Sequence, residues 1–176
     1  MINQIFFTEI DIKVIHRSVH ATWPADGFKT HESFDEWLRK THINQALQPY
    51  LWGLIAAWCP HRYMCYWDVG NVWDILQRKR GQLVAARSEP SETNLSPEAI
   101  AEQLRGLLRL ANRSQDTPIF GAIVVVSTCS DKAACGQLNV CFEVVEKYLP
   151  ATAIATCTVV IVGAHEPQSV CLWISE

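Results

Sequence analysis

The sequence predicts an α/β fold, a mixed sheet flanked by helices that ends in a strand, helix, strand, strand unit. Helical and strand-like apolar patterns alternate along residues 97–174, and no internal repeat interrupts them. Composition supports the prediction, because 49% of the 176 residues are hydrophobic and 19% are charged. Such a composition is typical of a chain that buries a core.

The N-terminal part of the chain combines one strand pattern with two helical ones. Residues 5–15 alternate in part between apolar and polar types, which predicts a half-buried strand. Ser33 and Glu36 form a capping-box pattern, which predicts a short helix over residues 33–41. Five large apolar residues recur at helical spacing over residues 47–58 and predict a longer helix.

The middle of the chain predicts a short amphipathic helix, a strand and a loop. Asp68 and Asn71 precede the apolar stripe of this helix, and Gly81 ends it. Residues 82–86 have strand character. Residues 88–96 form the most polar and turn-rich stretch, which predicts a surface loop.

The C-terminal part supplies the strand, helix, strand, strand unit, after a helix that the Ser-Pro-Glu sequence at 96–98 begins. The apolar run 119–126 predicts a central strand followed by a polar loop. Residues 152–162 and 169–174 predict two strands that close as a hairpin. The helix before them ends at a proline, and its expected buried face is Leu138, Cys141, Phe142, Val145 and Leu149.

The length suits one ordinary domain. We expect residues 1–43, with the N-terminal strand and short helix, to form one compact unit with an α/β domain over residues 44–176.

Charge and cysteine content limit the class of partner and the location. The 15 Lys and Arg and 18 Asp and Glu give a formal net charge of −3, so nucleic acid is not an expected partner. The apolar runs are shorter than the roughly 18 residues of a membrane span. We expect neither a span nor a secretory signal. The seven cysteines contain no CxxC pair, which favours reduced thiols and a cytoplasmic location.

Two groups of potential metal ligands are each incomplete. Cys59, His61 and Cys65 do not provide four ligands at zinc spacing, and His16 and His20 lack the glutamate of a metalloprotease motif. We therefore expect no metal and no cofactor. Buried structural thiols are the expected role of most cysteines, and Cys135 and Cys141 are expected to face the interior from a helix.

Cys129 follows the predicted central strand, at the kind of position where the catalytic groups of α/β proteins gather. The sequence places no histidine partner beside it, so it is a weak candidate nucleophile. A small α/β enzyme or a ligand-binding protein with a site near Cys129 to Asp131 is one alternative function.

Several segments together resemble the second half of the FtsZ/tubulin family, over about residues 44–176. QPYLWGLIAAW resembles the end of the central helix of the family, and WDVGNVWDIL resembles its inter-subunit loop and the following helix. SPEAIAEQLRGLL, GAIVVVSTCS and LNVCFEVVEKYL resemble the next helix, strand and helix. TVVIVG and SVCLWISE resemble the last strands. The resemblance implies the fold of the C-terminal domain of the family.

The chain departs from the family where the family binds GTP. EIDIKVI is faintly similar to the first strand of the family, but the glycines that follow it there are missing, as is the GGGTGSG-type loop. Glycines let backbone amides approach a phosphate closely. We therefore expect that this chain does not bind GTP in the way the family does.

The resemblance also assigns a role to the loop before the short helix. In the family, carboxylates of this loop reach the nucleotide pocket of the neighbouring subunit. Asp68 occupies the first such position, whereas Asn71 replaces the second acid and Tyr66 replaces the leading Asn. Asp68 is thus a weak catalytic candidate, and the ordinary alternative is that it caps a helix.

Four of the seven tryptophans lie within residues 52–73. Aromatic residues are enriched both in interfaces and in cores, and the sequence does not decide whether these tryptophans belong to an interface or to the core.

The leading hypothesis is a non-enzymatic FtsZ/tubulin-like interaction protein that caps or modulates a cytoskeletal filament or cell division. Its partner would be an FtsZ/tubulin-like protein or a second copy of the chain, and self-assembly into a structural protein is a further alternative. The expected partner-binding residues are Trp58, Trp67, Asp68, Asn71 and Trp73.

Overall fold

The computed structural model describes residues 3–7, 36, 37, 39–41, 43, 71, 74, 75, 83–89, 91, 93–111, 119–129, 131–161 and 168–175. The order of the elements in these ranges is β1 (Asn3–Phe7), β2 (Leu83–Arg87), α1 (Pro97–Ala111), β3 (Gly121–Thr128), α2 (Asp131–Tyr148), β4 (Ile154–Ile161) and β5 (Val170–Ser175). The predicted α/β class and the C-terminal strand, helix, strand, strand unit are both confirmed.

The five strands form one mixed sheet in the order β1-β2-β5-β3-β4. β3 and β4 are parallel, and the other neighbouring pairs are antiparallel. β3 lies between β5 and β4 with all its residues buried, so the prediction of a central strand is confirmed. It extends further than predicted, because Ser127 and Thr128 belong to the strand and not to the loop after it.

The predicted hairpin between the last two strands is wrong. β4 pairs with β3, whereas β5 lies between β2 and β3. Val126 of β3 faces Val159 of β4 on one side and Val170 of β5 on the other. Helix α2 carries the chain from β3 to a parallel neighbour, which leaves the other side of β3 for β5. Runs that are apolar on both faces predict strands but do not specify their neighbours.

Helices α1 and α2 pack against each other and against one face of the sheet. The hydroxyl of Ser96 caps α1, because the amide of Ala99 donates to it at 3.2 Å. The predicted stripe of α1 is buried at Ile100, Leu104 and Leu107. Strand residues that alternate along β3, including Val124, complete this core.

The buried stripe of α2 differs from the predicted one. Ala134, Cys141 and Val145 face the core, and Phe142 is 40% exposed. Cys135 is also exposed, so the expectation that it faces the interior is wrong, while that for Cys141 is confirmed. At 3.6 residues per turn, Phe142 and Cys135 lie about a quarter of a turn from the centre of the stripe.

The second face of the sheet is buried as well. Ile123, Val125 and Thr158 point to this face and are at most 1% exposed. Ile75 is 1% exposed and lies against Gly121, at the start of β3. Residues 71, 74 and 75 are helical, in agreement with the short amphipathic helix that the sequence predicts.

The N-terminal strand pairs with β2 at the edge of the sheet. It covers Asn3–Phe7, and residues 8–15 of the predicted strand lie outside the described residues. Residues 36, 37, 39 and 40 are helical, as the capping-box pattern predicts, whereas the predicted helix over residues 47–58 lies outside the described part. The division at residues 1–43 and 44–176 stays a prediction.

Candidate functional site

Polar side chains gather where β2 and β3 end and β5 begins. β5 is antiparallel to both neighbours, so its first residues lie beside the last residues of β2 and β3. We call this group the strand-end cluster, and it consists of Arg87, Ser88, Asn94, Thr128, Cys129, Gln168 and Ser169.

Backbone hydrogen bonds fix the strand-end cluster. The amide of Ser127 donates to the carbonyl of Ser169 at 2.9 Å, and the amides of Ser91 and Gln168 donate to each other's carbonyls at 2.8 and 2.9 Å. The loop after β2 is therefore tied to the strand that enters the sheet beside it. The predicted surface loop over residues 88–96 is confirmed for most of its described residues, but Ser88 and Leu95 are buried, at 5% and 7% exposed.

Side chains then close the cluster. Arg87 Nε donates to Ser169 Oγ at 3.1 Å, and Thr128 Oγ1 donates to Asn94 Oδ1 at 3.0 Å. The hydroxyl of Ser88 accepts the buried amide of Val170 at 2.9 Å. These bonds satisfy polar groups that burial would otherwise make costly, so much of the cluster serves the structure.

Cys129 is the member of the cluster that combines exposure with reactive chemistry. Its thiol is exposed, and Nε2 of Gln168 lies 3.2 Å from its sulfur. Gln168 itself is 2% exposed. α2 begins at Asp131, two residues further along, so Cys129 lies at the carboxyl end of β3, as the sequence predicts. Its catalytic role stays a prediction.

Gln168, Asn94 and Arg87 belong to the cluster but were not predicted from the sequence. Gln168 lies 39 residues from Cys129, and the pairing of β5 with β3 alone brings the two together. The predicted hairpin would have directed this segment towards β4. The contact between Gln168 and Cys129 could therefore be predicted only from the correct strand order.

The predicted partner-binding residues lie mostly outside the described part of the chain. Asn71 is half-buried in the short helix, whereas Trp58, Trp67, Asp68 and Trp73 lie in ranges that the structure does not describe. The assignment of these five residues stays a prediction.

Two other described cysteines lie in the core, where burial affects their chemistry. Cys141 and Cys157 are buried in the core, and loss of solvent raises the pKa of Cys141 to about 12 and that of Cys157 well above its usual value. Both thiols are therefore held in the neutral, unreactive form. Among the described residues, no group of acidic, histidine and cysteine side chains has the arrangement of a metal site.

The predicted ligands Cys59, His61 and Cys65, and the pair His16 and His20, fall outside the described ranges. Among the described helices, none has the length and apolar character of a membrane-spanning segment.

The chain has an FtsZ-like fold. Neither a protein-family model nor a curated protein matches the sequence. Among solved structures, it is similar to an empty FtsZ dimer from M. jannaschii, with a TM-score of 0.51 and 13% sequence identity. The match covers 94% of this chain and 43% of the FtsZ chain, so the chain spans less than half the length of that protein. The mixed sheet and its helices are consistent with the C-terminal domain of FtsZ, and at this identity the likeness shows the fold alone.

Proposed function

We propose that this chain is a non-enzymatic interaction protein that docks on an FtsZ/tubulin-like subunit and caps or modulates its filament. The observation that carries the proposal is the similarity between 94% of this chain and 43% of FtsZ. A chain with the shape of one part of a filament subunit can present a related surface to the next subunit. The 176 residues contain no GGGTGSG-type loop, which favours binding over GTP hydrolysis.

The proposed docking surface includes the short helix around Asn71. Ile75 points into the sheet, whereas Asp74 beside it is exposed. The helix is thus anchored on β3 and presents its other side to a partner. Trp67 and Trp73, which are close to Asn71 in the sequence, are of a residue type that contributes strongly to the binding energy of interfaces.

The test is a titration of the purified chain into FtsZ from M. jannaschii, read out by sedimentation and by GTP turnover. A capping protein is expected to lower both the pelleted fraction and the turnover as its concentration rises. The chain alone is sedimented in parallel, and its behaviour there reveals self-assembly. If neither readout changes at any ratio, the proposal is wrong.

A matched pair of charge reversals locates the surface. Asp74→Lys changes an exposed acid in the short helix, and Glu146→Lys changes an exposed acid in α2, which packs on the opposite face of the sheet. We expect Asp74→Lys to weaken the effect on FtsZ about tenfold and Glu146→Lys to leave it within about twofold, because charge reversal inside an interface disturbs complementarity. Equal effects of the two variants would place the docking surface elsewhere, while the effect of the unaltered chain still tests docking itself.

A further inference from the structure

We draw no further inference here: the strongest candidate, the exposed surface patch on α2 that contains Cys135 and Phe142, carries no proposal because nothing in the described part of the structure shows what covers it.

Discussion

Ile75 packs so closely on Gly121 that a side chain at position 121 has no room. A Cβ atom there would lie 2.6 Å from Cγ1 of Ile75 and 3.1 Å from the carbonyl oxygen of Ile154. The contact fixes the short helix on the first residue of β3. Because Asp74 belongs to the same helix, the proposed docking surface depends on this close approach.

Gly121→Ala is therefore expected to lower the free energy of unfolding by about 1–3 kcal/mol, the usual cost of overpacking a core. Gly136→Ala is the matched control. A Cβ there would meet only Cγ of Pro97, at 3.8 Å, and Gly to Ala within a helix is stabilising by up to about 1 kcal/mol. Urea unfolding of the two variants should thus give opposite signs. Gly121→Ala should destabilise the protein less when it is combined with Ile75→Ala, since that substitution removes Cγ1 of Ile75. A loss of equal size in both glycine variants would contradict the contact.

Ser88 holds the start of β5 through a buried hydrogen bond. Its hydroxyl accepts the amide of Val170 at 2.9 Å, and Val170 is fully buried. Ser88→Ala leaves that amide without an acceptor, which should cost about 1–3 kcal/mol of stability. Ser91→Ala is the control, because its hydroxyl bonds only to the exposed Thr93 among the described residues. It should cost less than about 0.5 kcal/mol in the same urea titration. Equal urea midpoints for the two variants would show that the hydrogen bond between Ser88 and Val170 does not contribute to stability.

Thr158 differs from Ser88 because its buried hydroxyl group is not hydrogen-bonded to any described residue. Thr158 itself is 1% exposed. Thr158→Val keeps the branched shape and removes the hydroxyl, so it should raise the free energy of unfolding by about 1 kcal/mol. Chemical unfolding measures the change. A lower free energy of unfolding for the variant would mean that the hydroxyl stabilises the folded chain.

The sequence predicts those features of the fold that depend on residues close together in the chain, and it predicts contacts between distant segments poorly. The cap at Ser96, the stripe of α1 and the run that became β3 are local patterns, and each was predicted correctly. Strand pairing is not local. The apolar residues of β4 and β5 suit several neighbours, so a hairpin was the simplest expectation and the wrong one.

The candidate site shows the same limit. Cys129 could be placed at the end of a strand because β3 was recognised in the sequence. Gln168 could not be placed beside it, because their contact depends on β5 entering the sheet next to β3. On α2, the exposure of Phe142 depends on which side of the helix α1 and the sheet cover, and a large apolar residue alone does not reveal that.

Cys141 and Cys135 provide a comparison of buried and exposed thiols within one helix. Cys141 lies in the core with its pKa raised to about 12, and Cys135 is exposed. Cys141→Ser places a hydroxyl among apolar neighbours and should cost about 1–3 kcal/mol of stability. Cys135→Ser should change stability by less than about 0.5 kcal/mol. Thermal or urea unfolding distinguishes the two. Similar losses in both variants would contradict the assigned burial.

The start of α1 couples stability to pH through Glu98. Hydrogen bonds from its own backbone amide and from the hydroxyl of Ser96 hold the pKa of its carboxyl below the usual 4.5. A pKa that is lowered in the folded state stabilises the protein above the pKa of the unfolded chain, and this contribution is lost as the pH falls through the folded pKa.

Ser96→Ala should therefore raise the pKa of Glu98 towards its usual value and, by removing the cap on Ala99, cost about 1 kcal/mol at neutral pH. The cost should shrink at acidic pH. Glu98 is then protonated in both proteins, so the hydroxyl of Ser96 no longer stabilises a negative charge in the unaltered chain. Ser96→Asp keeps an acceptor for the amide of Ala99 but offers no donor to Glu98, so it should raise the pKa of Glu98 while it retains most of the stability. Carbon NMR of the Glu98 carboxyl gives the pKa values, and urea midpoints at neutral and acidic pH give the stabilities. An unchanged Glu98 titration in Ser96→Ala would show that Ser96 acts on the backbone alone.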